Sequence, residues 1–272
     1  MIDTTFHDKE TAMNKYKLRL DLSIDIGVKL YRIERLDNGE LGGYIGSEKN
    51  LSQEGNAWIY GDARVYGNAQ VSGDAQIYGD ARVSGDARVS GNARVYGNAW
   101  VSGNAWVYGD ARVYGNAWVS GDAQIYGDAR VSGDARVSGN ARVSGNAWVS
   151  GDARVSGDAW VSGNARVSGD ARVYGNAWVS GDARISGNAW VSGNAQIKCI
   201  SEIINFVIGF SFSITITPDN IMIGCQVKKR TEWLKITKDE AKEMGLPEHL
   251  YPYYRQLIKT GMKLVPKRKK VK

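Results

Sequence analysis

Between Gly55 and Lys198 apolar and polar positions recur with a period of six, in 24 unbroken copies of Gly-(Asp/Asn)-Ala-(Arg/Trp/Gln)-(Val/Ile)-(Ser/Tyr), the last closing on Lys198. Ala and Val or Ile stand two residues apart, so in an extended segment they share one face while the Arg, Trp or Gln between them takes the other. The next two positions are Gly and then Asp or Asn, residues that accept turn conformations and bond their own backbone. Each hexad therefore predicts a short strand and a corner. Short strands joined by identical corners coil, and a hexapeptide period predicts a parallel β-helix. Three hexads per coil give eighteen residues per turn and eight coils, a rod on the order of 38 Å long at about 4.8 Å per strand spacing.

The eighteen-residue period places Tyr60, Tyr78, Tyr96 and Tyr114 in one outward row, continued by Ser132, Ser150, Ser168 and Ser186. It places Trp100 over Trp118 in another row and Trp160 over Trp178 in a third. Two residues before Arg64, Arg82, Arg136, Arg154 and Arg172 stands an Asp, and two before Trp100, Trp118 and Trp190 an Asn. That match predicts carboxylates relieving the repulsion of stacked guanidinium groups.

The flanks read as caps, dividing the chain into an N-terminal cap (1–54), the solenoid (55–198), a β-hairpin cap (199–234) and a helical module with a basic tail (235–272). Lys17 to Ser23 and Leu30 to Arg35 predict strands, and Gly39 to Ile45 a glycine-rich turn into the first coil. Ile203 to Phe210 predicts an apolar cover for the last coil. Ser211 to Thr217 alternates, Pro218-Asp219-Asn220 turns and Ile221 to Cys225 returns, a hairpin pattern. Thr237 with Glu240 forms a capping box for a helix through Met244, ended by Gly245 and Pro247. A second helix is predicted over Glu248 to Thr260, with Leu250, Tyr254, Leu257 and Ile258 on one stripe.

Charge is unevenly spread. Residues 1–54 carry net −2, the repeats hold 12 Arg and 12 Asp, and residues 198–272 carry net +8. Lys228, Lys229, Arg230 and the tail residues Lys267, Arg268, Lys269 and Lys270 are thus the candidate contacts for a polyanion. No run reaches the length of a membrane span and the first residues lack an apolar signal core, which predicts a cytoplasmic protein with no membrane partner.

Leu30-Tyr-Arg-Ile, Leu41-Gly-Gly-Tyr-Ile, Asn50-Leu-Ser-Gln-Glu-Gly-Asn-Ala-Trp, the hexads, Ile223-Gly-Cys-Gln and Thr231-Glu-Trp resemble hexapeptide-repeat β-helix proteins encoded by bacteriophages and prophages. Such proteins are labelled polymer-forming cytoskeletal or hexapeptide transferase-like. The resemblance implies an all-β, single-stranded, left-handed, triangular parallel β-helix and a phage-derived gene acting inside a bacterial host. It carries no reaction with it.

An enzyme is not expected. Acyltransferases resembling these repeats use a histidine base, and the related carbonic anhydrases hold zinc through three histidines. The coils contain no His or Cys, and the chain has only His7, His249, Cys199 and Cys225. The cysteines read as buried thiols of the cap. The corner Asp lack the Gly-Gly-x-Gly-x-Asp spacing of calcium-binding repeats. No catalytic residue, metal or cofactor is therefore expected.

Residues Val71 to Val95 recur identically at Val119 to Val143, a shift of eight hexads that is not a multiple of eighteen. The copy must land on different faces, which scrambles any dedicated ligand face but leaves an inert rod intact. The sequence thus favours a non-catalytic structural or interaction protein that spaces or presents its ends. Homo-oligomerisation through Trp rows is expected, with a phage or host protein at the C-terminal module. Nucleic-acid binding or a counter-defence role through the basic C-terminus is a second reading, and an acyltransferase-like enzyme is disfavoured.

Overall fold

In a computed structural model, residues 14–198, 204–206, 214–217, 220–223 and 226–265 are described. Strands β1 (Tyr16–Asp25), β2 (Lys29–Arg35) and β3 (Leu41–Ile45) precede a run of two-residue strands, β4–β27, extending from Trp58–Ile59 to Gln196–Ile197, one per hexad. These 24 strands fall into three parallel sheets, the three faces of a solenoid. Register within each sheet advances by eighteen, as in Arg94, Arg112 and Arg130. Eight coils of eighteen residues are thus present, as the spacing predicts.

The interior holds nothing but the Ala and Val or Ile of each hexad, all at most 2% exposed. Each coil donates its backbone N–H groups to the next: Arg94 N to Ala111 O (2.9 Å), Tyr96 N to Val113 O (2.9 Å) and, at the corner, Asn98 N to Gly115 O (2.8 Å). With cores made of Ala and Val, this continuous ladder carries much of the cohesion between coils. Every corner glycine has φ between +59° and +72°, the left-handed region in which a side chain would be strained.

The N-terminal cap forms an irregular rung ahead of the first coil. β1 and β2 are antiparallel, but β3 runs parallel to Arg64–Val65 and continues that sheet. The segment expected to be a glycine-rich turn is thus partly a strand. Its glycines are needed for close packing rather than bending: a Cβ on Gly42 would lie 2.6 Å from Ile59 O, and one on Gly43 2.6 Å from Ala63 O. Ile45 pairs with Val65 and Leu51 bridges Val71, so the offset here is twenty instead of eighteen.

Asn50 mends that mismatch. Fully buried, it donates through Nδ2 to Gly67 O (3.0 Å) and Ala69 O (2.8 Å) and accepts at Oδ1 from Gly46 N (3.1 Å) and Ser47 N (2.9 Å). Its carboxamide thus satisfies carbonyls of the first coil that the cap backbone does not reach. Trp58, also fully buried, lies under the Arg35 guanidinium at 4.2 Å and against the edge of Tyr16. Tyr16 donates to Leu51 O at 2.7 Å, and burial pushes its hydroxyl well above the usual tyrosine range.

Beyond the last coil, β28 (Ile204–Phe206), β29 (Ile214–Ile216), β30 (Asn220–Ile223) and β31 (Gln226–Lys229) form an antiparallel sheet. The predicted hairpin is its centre, Ile216 facing Ile221 across a turn closed by Thr217 N to Asn220 O. The sequence reading missed the two outer strands as sheet members. Among the described residues three α-helices follow: α1 (Arg230–Trp233), α2 (Lys238–Glu243) and α3 (Tyr251–Leu264).

The Thr237 hydroxyl accepts from Glu240 N while Glu240 accepts from Thr237 N, the predicted capping box. Gly245 (φ +83°) follows α2. The second predicted helix begins as a 3₁₀ turn, Glu248–Leu250, and continues to Leu264, past the expected Thr260. Ile214, Ile216, Ile221 and Ile223 of the sheet share one core with Trp233, Tyr254 and Ile258, so sheet and helices form one unit.

Candidate functional site

The solenoid presents three flat faces and three corners, and the structure segregates their chemistry. At the corners polar side chains stack in columns. Each Asn with a corner residue eighteen positions ahead donates Nδ2 to it: Asn68 to Asp86, Asn104 to Asp122, Asn140 to Asp158, and Asn98 to Asn116 and on to Asp134. The direction is toward the next coil in each pair, and where the acceptor is an Asp its carboxylate can only accept.

On the faces the arginines stand apart from these carboxylates. Among the described residues, no ion pair joins a solenoid Arg to a corner Asp; Asp62 pairs instead with Arg32 of the cap. The expected pairing of Arg with the Asp two residues earlier is therefore not what forms. Asp occupies a corner and Arg a flat strand. Several of those Asp are already bonded by Asn from the preceding coil, and four of the twelve solenoid guanidinium groups, those of Arg88, Arg136, Arg166 and Arg172, lean over tryptophan rings. Arg172 lies 5.0 Å from the centre of Trp190, Arg136 5.7 Å from Trp118 and Arg88 5.8 Å from Trp106.

The aromatic rows form as the spacing predicts, with one exception. Tyr78, Tyr96 and Tyr114 stack at 4.7 and 4.9 Å, Trp100 on Trp118 at 5.2 Å and Trp160 on Trp178 at 5.2 Å, all within 5° of parallel. Tyr60, expected to begin the tyrosine row, packs against the hydrophobic core. Burial and its two tyrosine neighbours push the Tyr96 hydroxyl above its ordinary value. Indole N–H groups reach back to the coil before: Trp100 to Ser84, Trp148 to Ser132, Trp160 to Ser144 and Trp178 to Ser162, at 3.0–3.3 Å. Trp100 thus faces Trp118 and Trp160 faces Trp178, while Trp148 lies by the Arg166 guanidinium at 5.9 Å. Sequence reading missed the Ser partners, although their constant offset of sixteen is visible once the coil length is fixed.

At the C-terminal cap the basic candidates part company. Lys229 is exposed and Lys228 half-buried, but Arg230 is buried and donates Nη2 to Met262 O at 2.6 Å, tying β31's end to α3. Arg230 belongs to the cap's own packing and is not available as a surface contact. Lys267, Arg268, Lys269 and Lys270 lie outside the described residues, as do His7, Cys199 and Cys225. His249 lies in the 3₁₀ turn before α3. Among the described residues no cluster of three or more His, Cys, Asp or Glu could hold a metal ion. None of the helices found there is long and apolar enough to cross a membrane.

No curated protein matches the chain. A family model described as the YdcK beta solenoid repeat matches nine times, over residues 57–73, 75–91, 87–103, 105–121, 123–137, 135–151, 147–163, 165–181 and 183–198. Most matches span about one coil. They begin at different hexads, as expected when any three consecutive hexads close a turn. Together they cover just over half of the chain, which belongs to the YdcK beta-solenoid repeat family.

Proposed function

We propose that the chain is a non-catalytic structural or interaction protein, a rigid rod of phage origin that spaces or presents its terminal modules inside a bacterial host. The supporting observation is the internal copy. Gln76–Ile77 pairs with Trp58–Ile59 and Arg94–Val95 in one sheet, whereas the identical Gln124–Ile125 pairs with Trp106–Val107 and Arg142–Val143 in another. The same 25-residue passage faces different directions in its two occurrences. A surface built for one ligand would lose its pattern under such a shift, whereas a spacer keeps its length and stiffness.

Trp106, Trp118 and Trp178, each about two-fifths exposed, are the side chains through which a second copy packs in this reading. The sequence supports the absence of catalysis: the coils hold neither His nor Cys.

Deleting residues 127–144 removes one coil and leaves every remaining register in place. The expected result is a folded protein about 5 Å shorter by small-angle scattering, with a similar melting temperature and, by light scattering, more than one chain per particle. Collapse on deletion, a strict monomer, or turnover of acetyl-CoA by the intact chain would each contradict the corresponding part of the proposal.

A further inference from the structure

The three sheets of the solenoid differ in the charge they turn outward. In the sheet that runs from Gln70–Val71 to Gln196–Ile197 the outward strand position holds three Trp, three Gln and only two Arg, whereas the solenoid strands of each other sheet hold five Arg. The corner leading into it carries three Asp, and each accepts from an Asn of the coil before: Asp86 from Asn68, Asp122 from Asn104 and Asp158 from Asn140. Trp106 and Trp178, two of the three Trp exposed by about two-fifths, stand on this sheet. The N-terminal cap strands extend the sheet of Arg64 and leave this one to the solenoid alone. Few charges and many rings are the composition of an interface core.

The occupant that fits is a second copy. A partner must repeat with every coil to stay in register along the whole face, and an identical rod does so by construction. It also changes together with the rod, so a repeat duplication that scrambles a foreign ligand's face keeps the two periods matched. Eight coils at about 4.8 Å, on a face at most about 20 Å wide, offer on the order of 700 Å² per partner, close to the about 800 Å² of a standard interface.

We propose that two chains pair antiparallel through this sheet, about a twofold axis lying across the rods. The first of its eight strands then meets the partner's last, the second the partner's seventh, and so on. Arg88 meets the partner's Trp178, Trp106 the partner's Trp160 and Gln124 the partner's Arg142, with Gln70 against the partner's Gln196 at the ends. At the corners Asp86 meets the partner's Asn176, Asp122 the partner's Asn140, Asp110 the partner's Asn164 and Asp128 the partner's Asn146. No Arg faces Arg and no Asp faces Asp. The same operation on the other sheets sets Arg82 against the partner's Arg172, or Arg112 against the partner's Arg130, like charges that a desolvated contact penalises. An axis along the rods would set each coil against its own copy, Arg88 on Arg88 and Arg142 on Arg142. Trp160 and Trp178 are stacked at 5.2 Å with their indole N–H groups on Ser144 and Ser162, so they enter the contact as rigid anchors and lose little side-chain entropy. This inference rests on the reading of the rod as a self-associating spacer and adds the face, the direction and the register; of the rings named there it leaves Trp118 outside.

The test mixes light and heavy isotopic forms of the full chain, each carrying a benzophenone amino acid at position 70, and maps the photo-induced links between chains by mass spectrometry. Links from position 70 of one chain to the strand of Gln196 in another, at the far end of the rod, are expected. Trp106→Arg with Trp160→Arg introduces a residue native to that repeat position, so the rod keeps its fold, but sets guanidinium against guanidinium. Light scattering should then show association weakened at least about tenfold, and mixing with a Trp106→Glu, Trp160→Glu chain should restore the pair. Trp100→Arg with Trp118→Arg, the same change on another sheet, should leave the particle mass of the parent. Links from position 70 to the same strand of the other chain, or unchanged association of the Trp106, Trp160 variant, would overturn the inference. So would loss of the pair on changing Trp100 and Trp118. A monomeric parent contradicts both this inference and the assembly part of the earlier reading, whereas an assembled parent with any of those three outcomes contradicts this inference alone.

Discussion

Replacing Asn50 by leucine should destabilise the N-terminal end of the rod by about 4 kcal/mol, since each buried polar group left without a partner costs about 1–3 kcal/mol. Leucine keeps the number and branching of the side-chain heavy atoms and removes every hydrogen bond. Gly67 O and Ala69 O lose their donor and Ser47 N its acceptor, while Gly46 N keeps a second bond to Val65 O. Hydrogen exchange should localise the effect to the cap and the first coil, because each coil touches only its neighbours.

Asn50→Asp sharpens the test. A carboxylate cannot donate to the two carbonyls, so folding should raise the acid's pKa above its unfolded value of about 3.9. A raised pKa means that the stability it lends is present at low pH and lost as pH rises through the folded value. The aspartate variant should therefore melt nearest the parent in mild acid and fall away toward neutrality. Equal stability of parent and both variants at pH 7 would show that Asn50 does not hold the first coil.

The second large effect is expected at the corners. Gly121 has φ +67°, and a Cβ there would lie 2.9 Å from Gly139 N of the next coil. Gly187 has φ +61° near the end of the rod with nothing within 4 Å. Gly187→Ala then costs about 1 kcal/mol for the left-handed backbone alone. Gly121→Ala adds a backbone clash and should cost about 3 kcal/mol, in the range of mutations that strain packed structure. The comparison isolates coil stacking from turn conformation. Melting temperatures that fall equally for both would mean that the corner glycines serve only the turn.

These predictions rest on features that the sequence reveals unevenly. The coil is legible because Ala, Val and Gly recur at fixed offsets and the interior has room for nothing else. The helices of the cap are legible from Thr237, Glu240 and Gly245, whose roles are local. The role of Leu41 to Ile45 is not legible, because Gly42 and Gly43 are demanded by the carbonyls of Ile59 and Ala63, which reach them only through the fold. Asn50 is invisible for the same reason: a single Asn before a repeat gives no sign that its carboxamide will replace a register offset.

The Arg and Asp of the coils illustrate a different failure. Their matched sequence positions suggest pairing, but a separation of two residues puts one on a face and the other on a corner. The candidate site divides similarly. Lys228, Lys229 and Arg230 look equivalent in sequence, yet Arg230 closes the cap from within.

The central claim is that residue n lies directly beneath residue n + 18 along the whole rod. Paired cysteine substitution tests it. Arg94→Cys with Arg112→Cys places two thiols on adjacent parallel strands, within the Cα separation of about 4.4–6.8 Å that a disulfide requires, whereas Arg94→Cys with Trp106→Cys places them on different sheets. Under mild oxidation, with links mapped by mass spectrometry, the account predicts a 94–112 disulfide and no 94–106 disulfide. A 94–106 link, or no 94–112 link in a folded protein, would contradict it.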